Sequence, residues 1–471
     1  MRKLFITAAL SLTWPATAAD PSFDYFSDNR ALIRNGVAAV LMCNGLFTSE
    51  RTLEQVLAQE LAYLKEPIGT GADDQYWIDD GHKSVLVGGG GRTPGVTAAF
   101  RQGIGCVVMA PGQTYDDIPS LPELTLHYPP LDAETTAWPD GDLIDATKRP
   151  PFDVKKMAAA SDWAFDRPTK EQDTLSLLVV YRGEIVHERY APGVTRDTKT
   201  RTWSTAKSLF ATLAGILVDR GDLVLDAPLP IDWLPAAPAG EQDPRREITL
   251  RHVLNMSSGL YPVDSYGLEY ATGSGLAYWA GASSTEGARR RGLIREPGQY
   301  WEYENYDTLL AVYAMKNALG GGKKYAEFPR RALFDRIGMR NTLASTDRFG
   351  NFIFSSQVYT TARDLARFGL LYAQGGRWHD EQIISSQWIK FVRTPAPASA
   401  RREHDYGGQF WLVPDSRHDV PKDAFATAGN RGQYVIIVPS RQVVIVRRGL
   451  DYGKQGFNRW DLTREVLKAI P

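Results

Sequence analysis

The chain has 471 residues, a hydrophobic fraction of 43% and a formal net charge of −1. This length accommodates two or more domains, and the hydrophobic fraction is sufficient for a substantial core. The near-neutral charge and the absence of long lysine or arginine runs exclude a strongly basic surface, so we expect no nucleic-acid partner.

The first 19 residues have the pattern of a secretory signal peptide. Arg2 and Lys3 form a positive start, the short apolar stretch LFITAALSL follows, and small residues permit cleavage near Ala18 or Ala19. The apolar stretch is too short to span a bilayer comfortably, and no later segment reaches spanning length without charges. An uncleaved anchor is the alternative. We therefore expect a soluble protein that is periplasmic or secreted.

Cys43 and Cys106 are the only two cysteines. An oxidising compartment permits a disulfide between them, and closing a loop of that length stabilises a fold by roughly 4 kcal/mol in the chain-entropy model. Two separate buried thiols are the alternative. Two cysteines without a nearby histidine form no zinc site, and we expect no metal or organic cofactor.

The order of predicted elements divides the chain into parts. Residues 20–110 predict a small α+β unit, and residues 111–152 form a proline-rich connector. Residues 153–471 carry strands at both ends with helices between them, and 222–300 predict a helical or loop insertion. This order indicates an α+β fold in which an antiparallel sheet is flanked by helices.

Turn residues and helix caps mark the ends of several elements. Hairpin turns are predicted at Asp80-Gly81, Arg182-Gly183 and Pro439-Ser440, helix starts at the caps Ser49, Thr249 and Thr361, and a helix end at Gly221.

The stretch WSTAKS places Ser204 three residues before Lys207, at the start of a segment that is apolar almost to Val218. Positions i and i+3 share one face of a helix, so the lysine lies within reach of the serine hydroxyl. Burial lowers the pKa of a lysine, and a neutral lysine can activate a serine nucleophile. A surface turn with two solvated side chains is the alternative, which the apolar segment disfavours.

Two further segments carry candidate groups, although each also has a structural explanation. Tyr303 and Asn305 in WEYEN lie on the same side of an extended segment, and a neighbouring cation would favour the phenolate of Tyr303. Core packing of aromatic residues is the alternative. The glycines around Gly429-Asn430-Arg431 permit close backbone approach, so this segment can offer N–H groups to an oxyanion. A simple turn is the alternative.

These three segments occur together and in order, and in this arrangement the chain resembles the serine hydrolases related to class C β-lactamases and DD-peptidases. WSTAKS is similar to the S-x-x-K motif and YEN to Y-x-N, while TLRHVLNMSSGL, TTARDLARFGLLY and AGNRGQYVIIVPSRQVVIVRRG are similar to the surrounding framework. The resemblance covers residues 160–470 and is greatest to the branch of 6-aminohexanoate-dimer hydrolases and related esterases. It implies a β-lactamase-like fold.

The resemblance also implies roles for individual residues. Ser204 is then the nucleophile, Lys207 and Tyr303 share the acid/base work, and Asn305 orients Lys207 or the substrate. The oxyanion hole would use the backbone N–H of Ser204 and that of Asn430, with Gly429 as the alternative.

The third motif departs from the family pattern. Members carry lysine-threonine-glycine, or histidine in the first place, where this chain reads Thr427-Ala428-Gly429 or Gly429-Asn430-Arg431. The cation for a β-lactam carboxylate is missing unless Arg431 supplies it by binding the substrate.

We therefore expect an exported serine hydrolase that cleaves a small-molecule ester or amide. A β-lactamase or DD-peptidase acting on lactams or cell-wall peptides is the first alternative. A catalytically inactive binding protein on the same fold is the second, and the intact Ser-Lys-Tyr set argues against it.

Overall fold

The computed structural model describes residues 26–65, 75–89, 94–126, 131–238, 240–400 and 405–471. The predicted signal peptide at residues 1–19 lies outside these ranges. Within them, no helix is both long enough and apolar enough to cross a membrane.

The N-terminal part folds as a long helix packed on a four-stranded antiparallel sheet. The helix buries Ile33, Val37 and Val40, which have the i, i+4, i+7 spacing of a single helix face. A disulfide joins Cys43 on this helix to Cys106 on the sheet, which confirms the predicted pairing. The elements are α1 (Ser27–Phe47), α2 (Leu53–Gln55), β1 (Tyr76–Asp79), β2 (Ser84–Val87), β3 (Val96–Arg101) and β4 (Gly105–Val108).

The remaining helices and strands follow in chain order. The helices are α3 (Val154–Phe165), α4 (Thr205–Asp219), α5 (Leu250–Leu254), α6 (Gly275–Trp279), α7 (Ser284–Arg289), α8 (Asn305–Ala318), α9 (Gly322–Pro329), α10 (Ala362–Ala373), α11 (Ser386–Val392), α12 (Pro397–Ala400) and α13 (Arg459–Leu467), with π-helical segments at Val56–Glu60 and Arg330–Phe334. The strands are β5 (Thr174–Tyr181), β6 (Glu184–Tyr190), β7 (Thr200–Arg201), β8 (Leu343–Ala344), β9 (Val358–Thr360), β10 (Arg377–Trp378), β11 (Glu381–Gln382), β12 (Trp411–Leu412), β13 (Phe425–Gly429), β14 (Gln433–Val438) and β15 (Val443–Gly449).

The central sheet has six antiparallel strands in the order β12-β13-β14-β15-β5-β6. Alternate residues of β15 face opposite sides: Val443 and Ile445 join the core with α3 and α13, while Val444 and Val446 join the core with α4 and α10. A strand covered on both faces carries a continuous apolar run, as β15 does from Val443 to Val446. The predicted antiparallel sheet flanked by helices is confirmed.

Most of the predicted element ends are confirmed. The hairpin turns predicted at Asp80-Gly81, Arg182-Gly183 and Pro439-Ser440 join β1 to β2, β5 to β6 and β14 to β15, and the caps Thr249 and Thr361 and the glycine Gly221 stand at their expected helix ends. The cap predicted at Ser49 is wrong. The short helix begins three residues later, where the side chain of Thr52 accepts a hydrogen bond from the Gln55 N–H.

The N-terminal unit shares a hydrophobic core with the rest of the molecule. Val37 of α1 and Phe210 of α4 belong to one continuous cluster of buried side chains. The close approach depends on Gly36, because a Cβ there would lie 1.7 Å from the carbonyl oxygen of Trp279. The N-terminal unit is therefore packed directly against the helices that surround the candidate site.

Candidate active site

Ser204 stands at a sharp junction between a strand and a helix. The preceding strand β7 pairs with β9, and the Thr202 N–H donates to the Val358 carbonyl at 2.8 Å. Trp203 then adopts a left-handed conformation with φ of 50°, and α4 begins immediately after Ser204. Left-handed φ values are uncommon for a bulky residue and occur often at functional sites. The turn leaves Ser204 half-buried, whereas its neighbours are buried.

Hydrogen bonds of Thr205 also fix the start of α4 against the central sheet. The hydroxyl oxygens of Thr205 and Thr427 lie 3.0 Å apart, and Thr205 donates to the Gln433 carbonyl at 3.1 Å. Thr427 also accepts from the Val435 N–H, and its side chain is fully buried. Thr205 and Thr427 therefore hold the start of α4 against β13 and β14.

Lys207 is buried, and its amine contacts three oxygens. Its Nζ lies 3.0 Å from Ser204 Oγ, 2.6 Å from Asn305 Oδ1 and 2.7 Å from the Ser355 carbonyl oxygen. The amide and carbonyl oxygens can only accept, so a neutral amine must donate its two protons to them. Its lone pair then faces Ser204 Oγ, the one partner that has a proton to give.

Burial lowers the pKa of Lys207 to about 7, because the interior disfavours the charged ammonium. The carboxylates of Glu269, Asp264 and Glu304 act in the opposite direction and moderate the shift. A substantial fraction of the lysine is consequently neutral near pH 7. The direction of this shift is the one expected from sequence for a buried lysine.

Asn305 links Lys207 to a carboxylate. Its Nδ2 donates to Asp264 Oδ2 at 2.8 Å and to Ser274 Oγ at 3.1 Å. Because a carboxylate accepts and does not donate, Asp264 turns the amide nitrogen toward itself and the amide oxygen toward Lys207. The structure thus brings the predicted residues Ser204, Lys207 and Asn305 together.

Tyr303 completes this group. Its hydroxyl interacts with the Ser204 side chain, and Lys207 Nζ lies 4.9 Å from the centre of its ring. The ring packs among the aromatic side chains of Trp301, Tyr406 and Trp411. Burial raises the pKa of Tyr303, so the phenol keeps its proton near neutral pH. The neighbouring lysine therefore does not make the phenolate the favoured form. The aromatic contacts confirm that this tyrosine packs in a cluster, and its catalytic role stays a prediction.

The end of β13 lies against the Ser204 turn. A Cβ on Gly429 would be 2.1 Å from the Thr202 carbonyl oxygen and 3.2 Å from the Ser204 nitrogen, so only glycine fits. Within the described part of the chain, the N–H groups of Ser204 and Asn430 donate to no backbone carbonyl. Two N–H groups from adjoining segments are thus free to face an oxyanion.

Arg431 does not bind substrate as the sequence suggested. Its guanidinium is buried and donates to the main-chain carbonyls of Gln59, Glu60, Leu450 and Asp451 at 3.0–3.2 Å. These bonds tie the turn after β13 to the N-terminal unit. The side chain is occupied by the protein, so the prediction that it replaces the missing substrate-binding cation is wrong.

Sequence reasoning missed several groups around the lysine. Asp264 and Glu269 come from the region between α5 and α6, and the Ser355 acceptor is a main-chain carbonyl, which no sequence motif marks. Burial, together with the nearby Asp264 carboxylate, raises the pKa of Glu269 to about 7. Acidic residues in a segment of tyrosine, serine and glycine were the only available signal.

The family model described as Beta-lactamase matches residues 165–448, which is more than half of the chain. The chain belongs to the Beta-lactamase family. The Beta-lactamase family is one of serine hydrolases, and the match includes Ser204, Lys207, Tyr303 and the β13–β14 turn.

Several known proteins are similar to this chain at low identity. The 6-aminohexanoate-dimer hydrolase of Paenarthrobacter ureafaciens is 24% identical over 299 residues, which span 59% of this chain and 73% of that protein. The structure of EstCE1, a hydrolase with promiscuous acyltransferase activity, aligns with a TM-score of 0.52 and 14% identity over 66% of this chain and 97% of that one. A penicillin-binding protein homologue from Caulobacter crescentus aligns with a TM-score of 0.51 and 16% identity over 66% and 96%. These structural likenesses establish the fold.

Proposed function

We propose that this serine hydrolase cleaves an ester or amide through a covalent acyl intermediate on Ser204. The observation that carries the proposal is the contact between Lys207 and Ser204. A buried amine with a pKa of about 7 lies 3.0 Å from the hydroxyl oxygen, and its other two partners accept its two protons. That arrangement is suited to removing a proton from serine.

In the acylation step, neutral Lys207 takes the Ser204 proton as Oγ attacks the carbonyl carbon of the substrate. The carbonyl oxygen becomes an oxyanion, which the N–H groups of Ser204 and Asn430 stabilise. The bond to the leaving group then breaks, and the leaving group receives the proton from Lys207 by way of the Tyr303 hydroxyl. Tyr303 donates one proton and regains another, so it stays neutral overall, as its raised pKa requires.

Deacylation repeats these transfers with water. The same Lys207 and Tyr303 pair takes a proton from the water as it attacks the acyl carbon. Ser204 Oγ leaves and recovers its proton, which returns the enzyme to its starting state.

We also propose export, with a signal peptide ending near Ala19 and a periplasmic or secreted mature protein. The disulfide between Cys43 and Cys106 supports this, since such bonds persist in oxidising compartments. Intact mass of the protein recovered from the periplasm or medium tests it. A mass that retains residues 1–19 would contradict the proposal.

The experiment on catalysis uses a fluorophosphonate probe and intact-mass analysis. We expect one adduct on the wild-type protein, located at Ser204 by peptide mapping, and none on Ser204→Ala. Ser416→Ala changes an exposed serine and is the matched control, which should label like wild type. Equal labelling of wild type and Ser204→Ala would show that the nucleophile is another residue.

A substrate panel separates an esterase or amidase from a β-lactamase or DD-peptidase. The usual cation of the third motif binds the carboxylate of a β-lactam. Here Thr427 is uncharged and contacts Thr205, while Arg431 is hydrogen-bonded to the N-terminal unit, so neither residue supplies that cation. We expect p-nitrophenyl esters or a 6-aminohexanoate dimer to be turned over in preference to a chromogenic cephalosporin. Efficient cephalosporin hydrolysis would reverse this ranking.

A further inference from the structure

A cleft of about 510 Å³ opens beside the proposed oxyanion site. Gly429 and Asn430 form one of its walls, and Arg30 and Arg34 of helix α1 form another. Gly429 also lies directly against the Ser204 nitrogen, as its close packing there shows. The cleft therefore begins at the segment that faces the nucleophile and ends at the N-terminal unit.

Among the residues that the structure describes, the charged side chains lining this cleft are Arg30, Arg34, Arg431 and Asp451. Three of them are already engaged by the protein. Asp451 accepts two hydrogen bonds from Arg447 at 2.8 and 2.9 Å, Arg431 binds main-chain carbonyls, and Arg30 donates to a carbonyl at 3.0 Å. Arg34 is half-buried and has no hydrogen bond, ion pair or ring contact with any residue that the structure describes. Its guanidinium is available to a ligand.

Helix α1 is held firmly at the edge of the site. Asn29 Nδ2 donates to the Ala271 carbonyl at 2.9 Å, and Arg30 donates to the Gly267 carbonyl. Arg34 lies one turn after Arg30, on the same side of the helix. These bonds position Arg34 relative to the segment that carries Tyr270, which also lines the cleft.

We propose that Arg34 binds a carboxylate group of the substrate, and this inference rests on the proposed acyl transfer at Ser204. A planar guanidinium matches a carboxylate in a bidentate hydrogen bond, which is among the stronger polar contacts in proteins. Neither alignment of the third motif contributes a cation, because Thr427 is uncharged and Arg431 is occupied. In this chain the cation comes from the N-terminal unit instead.

The cleft walls indicate what lies between the carboxylate and the reacting carbonyl. Tyr270, Tyr452 and Phe457 also line the cleft and contribute aromatic surface to its walls. An apolar spacer fits such walls, because aromatic side chains bury apolar groups efficiently. The substrate class is thus an ester or amide that carries a carboxylate on an apolar chain, in either its acyl or its leaving part.

The test compares matched charged and neutral esters. One pair is p-nitrophenyl hydrogen adipate and p-nitrophenyl methyl adipate, which place the charge in the acyl part. The other is the butyrate ester of 4-hydroxybenzoate and that of methyl 4-hydroxybenzoate, which place it in the leaving group. We expect wild type to favour the charged member of at least one pair by about tenfold in kcat/KM, mainly through a lower KM.

Arg34→Gln should bring that ratio close to one, and Arg34→Lys should restore part of it. Arg290→Gln removes an exposed arginine just after α7 and should keep the wild-type ratio. Circular dichroism confirms that each variant is folded. Hydrolysis without a charge preference, or a preference that survives in Arg34→Gln, overturns the role of Arg34 while the proposed function stands. No hydrolysis of any ester, together with no fluorophosphonate adduct, overturns the proposed function itself.

Discussion

Asp264 decides which way the Asn305 amide faces. The carboxylate accepts from Asn305 Nδ2 at 2.8 Å, so Oδ1 is left to accept from Lys207 at 2.6 Å. Lys207 in turn reaches Ser204, and the orientation of a buried amide thereby controls which atom of the lysine faces the nucleophile.

Replacing Asp264 should therefore alter both orientation and charge. Asp264→Asn removes the group that fixes the amide, so we expect the plateau of kcat to fall by about tenfold or more. It also removes a negative charge that raises the pKa of Lys207, so the rise of kcat/KM with pH should move to lower pH. Glu269→Gln separates the effect of charge from that of amide orientation, because Glu269 acts on Lys207 through its charge. This variant should shift the pH profile of kcat/KM to lower pH and lose less of the plateau kcat than Asp264→Asn. Unchanged profiles in both variants would contradict this coupling.

The wild-type pH profile should report the titration of Lys207. The lysine accepts the Ser204 proton only when neutral, and its pKa is about 7, so kcat/KM should rise with pH through a midpoint near that value. Initial rates with a p-nitrophenyl ester at constant ionic strength measure it. Lys207→Arg cannot deprotonate and should lose about a thousandfold in kcat/KM. An active Lys207→Arg enzyme would exclude the base role.

Lys207 should also lower the stability of the fold at neutral pH. Its pKa is depressed from the usual 10.5 to about 7, so the unfolded state binds more protons between these values. The free energy of unfolding should therefore increase as the pH rises from 7 toward 10, because the penalty for burying Lys207 decreases. We expect Lys207→Met to be more stable than Ser204→Ala at pH 7, by about 1 kcal/mol or more, with a smaller difference at pH 9. Urea unfolding at the two pH values measures this, and a difference that grows with pH would refute it.

Gly429 should be intolerant of a side chain. Its Cβ would lie 2.1 Å from the Thr202 carbonyl oxygen, so Gly429→Ala must displace β13 from the Ser204 turn. Misplacing an oxyanion donor reduces kcat by about a hundredfold. Gly292→Ala is the matched control, since nothing lies within 4 Å of its Cβ and the position is exposed. Steady-state kinetics of the two variants measure this effect. Equal activities would show that the end of β13 does not contribute to the oxyanion site.

The disulfide should contribute substantially to stability. Cys43 and Cys106 are 63 residues apart, and cross-linking a loop of that length stabilises by about 4 kcal/mol in the chain-entropy model. The double variant Cys43→Ala, Cys106→Ala should unfold at a lower urea concentration than the oxidised protein. Wild type treated with a reductant is the comparison, and it should unfold near the variant. Identical midpoints for the oxidised and variant proteins would show that the bridge adds no stability.

Local sequence patterns predicted the parts of the site that are set by local geometry. The spacing of Ser204 and Lys207 follows from helix periodicity. Tyr303 and Asn305 share one side because the backbone is extended at Glu304, just before α8 begins. The hairpin turns and most helix caps are equally local, since each depends on a few adjacent residues. The Ser49 cap failed because Thr52, three residues later, offers the same chemistry.

The residues that contact the site from distant parts of the chain could not be predicted from local sequence patterns. Arg431 stands in a glycine-rich turn that looks exposed in sequence, yet its acceptors Gln59 and Glu60 lie more than 370 residues earlier. Arg34 likewise lines a cleft with Gly429 and Asn430 only because α1 packs beside that segment. Contacts of this kind depend on how distant elements assemble, and a single sequence carries no pattern for them.

The buried guanidinium of Arg431 has a consequence for how this enzyme can be divided. The family match begins at residue 165, and the predicted catalytic part begins at residue 153, so both leave out Gln59 and Glu60. A fragment cut at either point would keep a buried charge beside the oxyanion turn and lose two of its acceptors, which is costly in an apolar interior. The family match and the shortest fragment that would fold with an intact candidate site therefore differ in length. The fragment must also include the segment that carries Gln59 and Glu60.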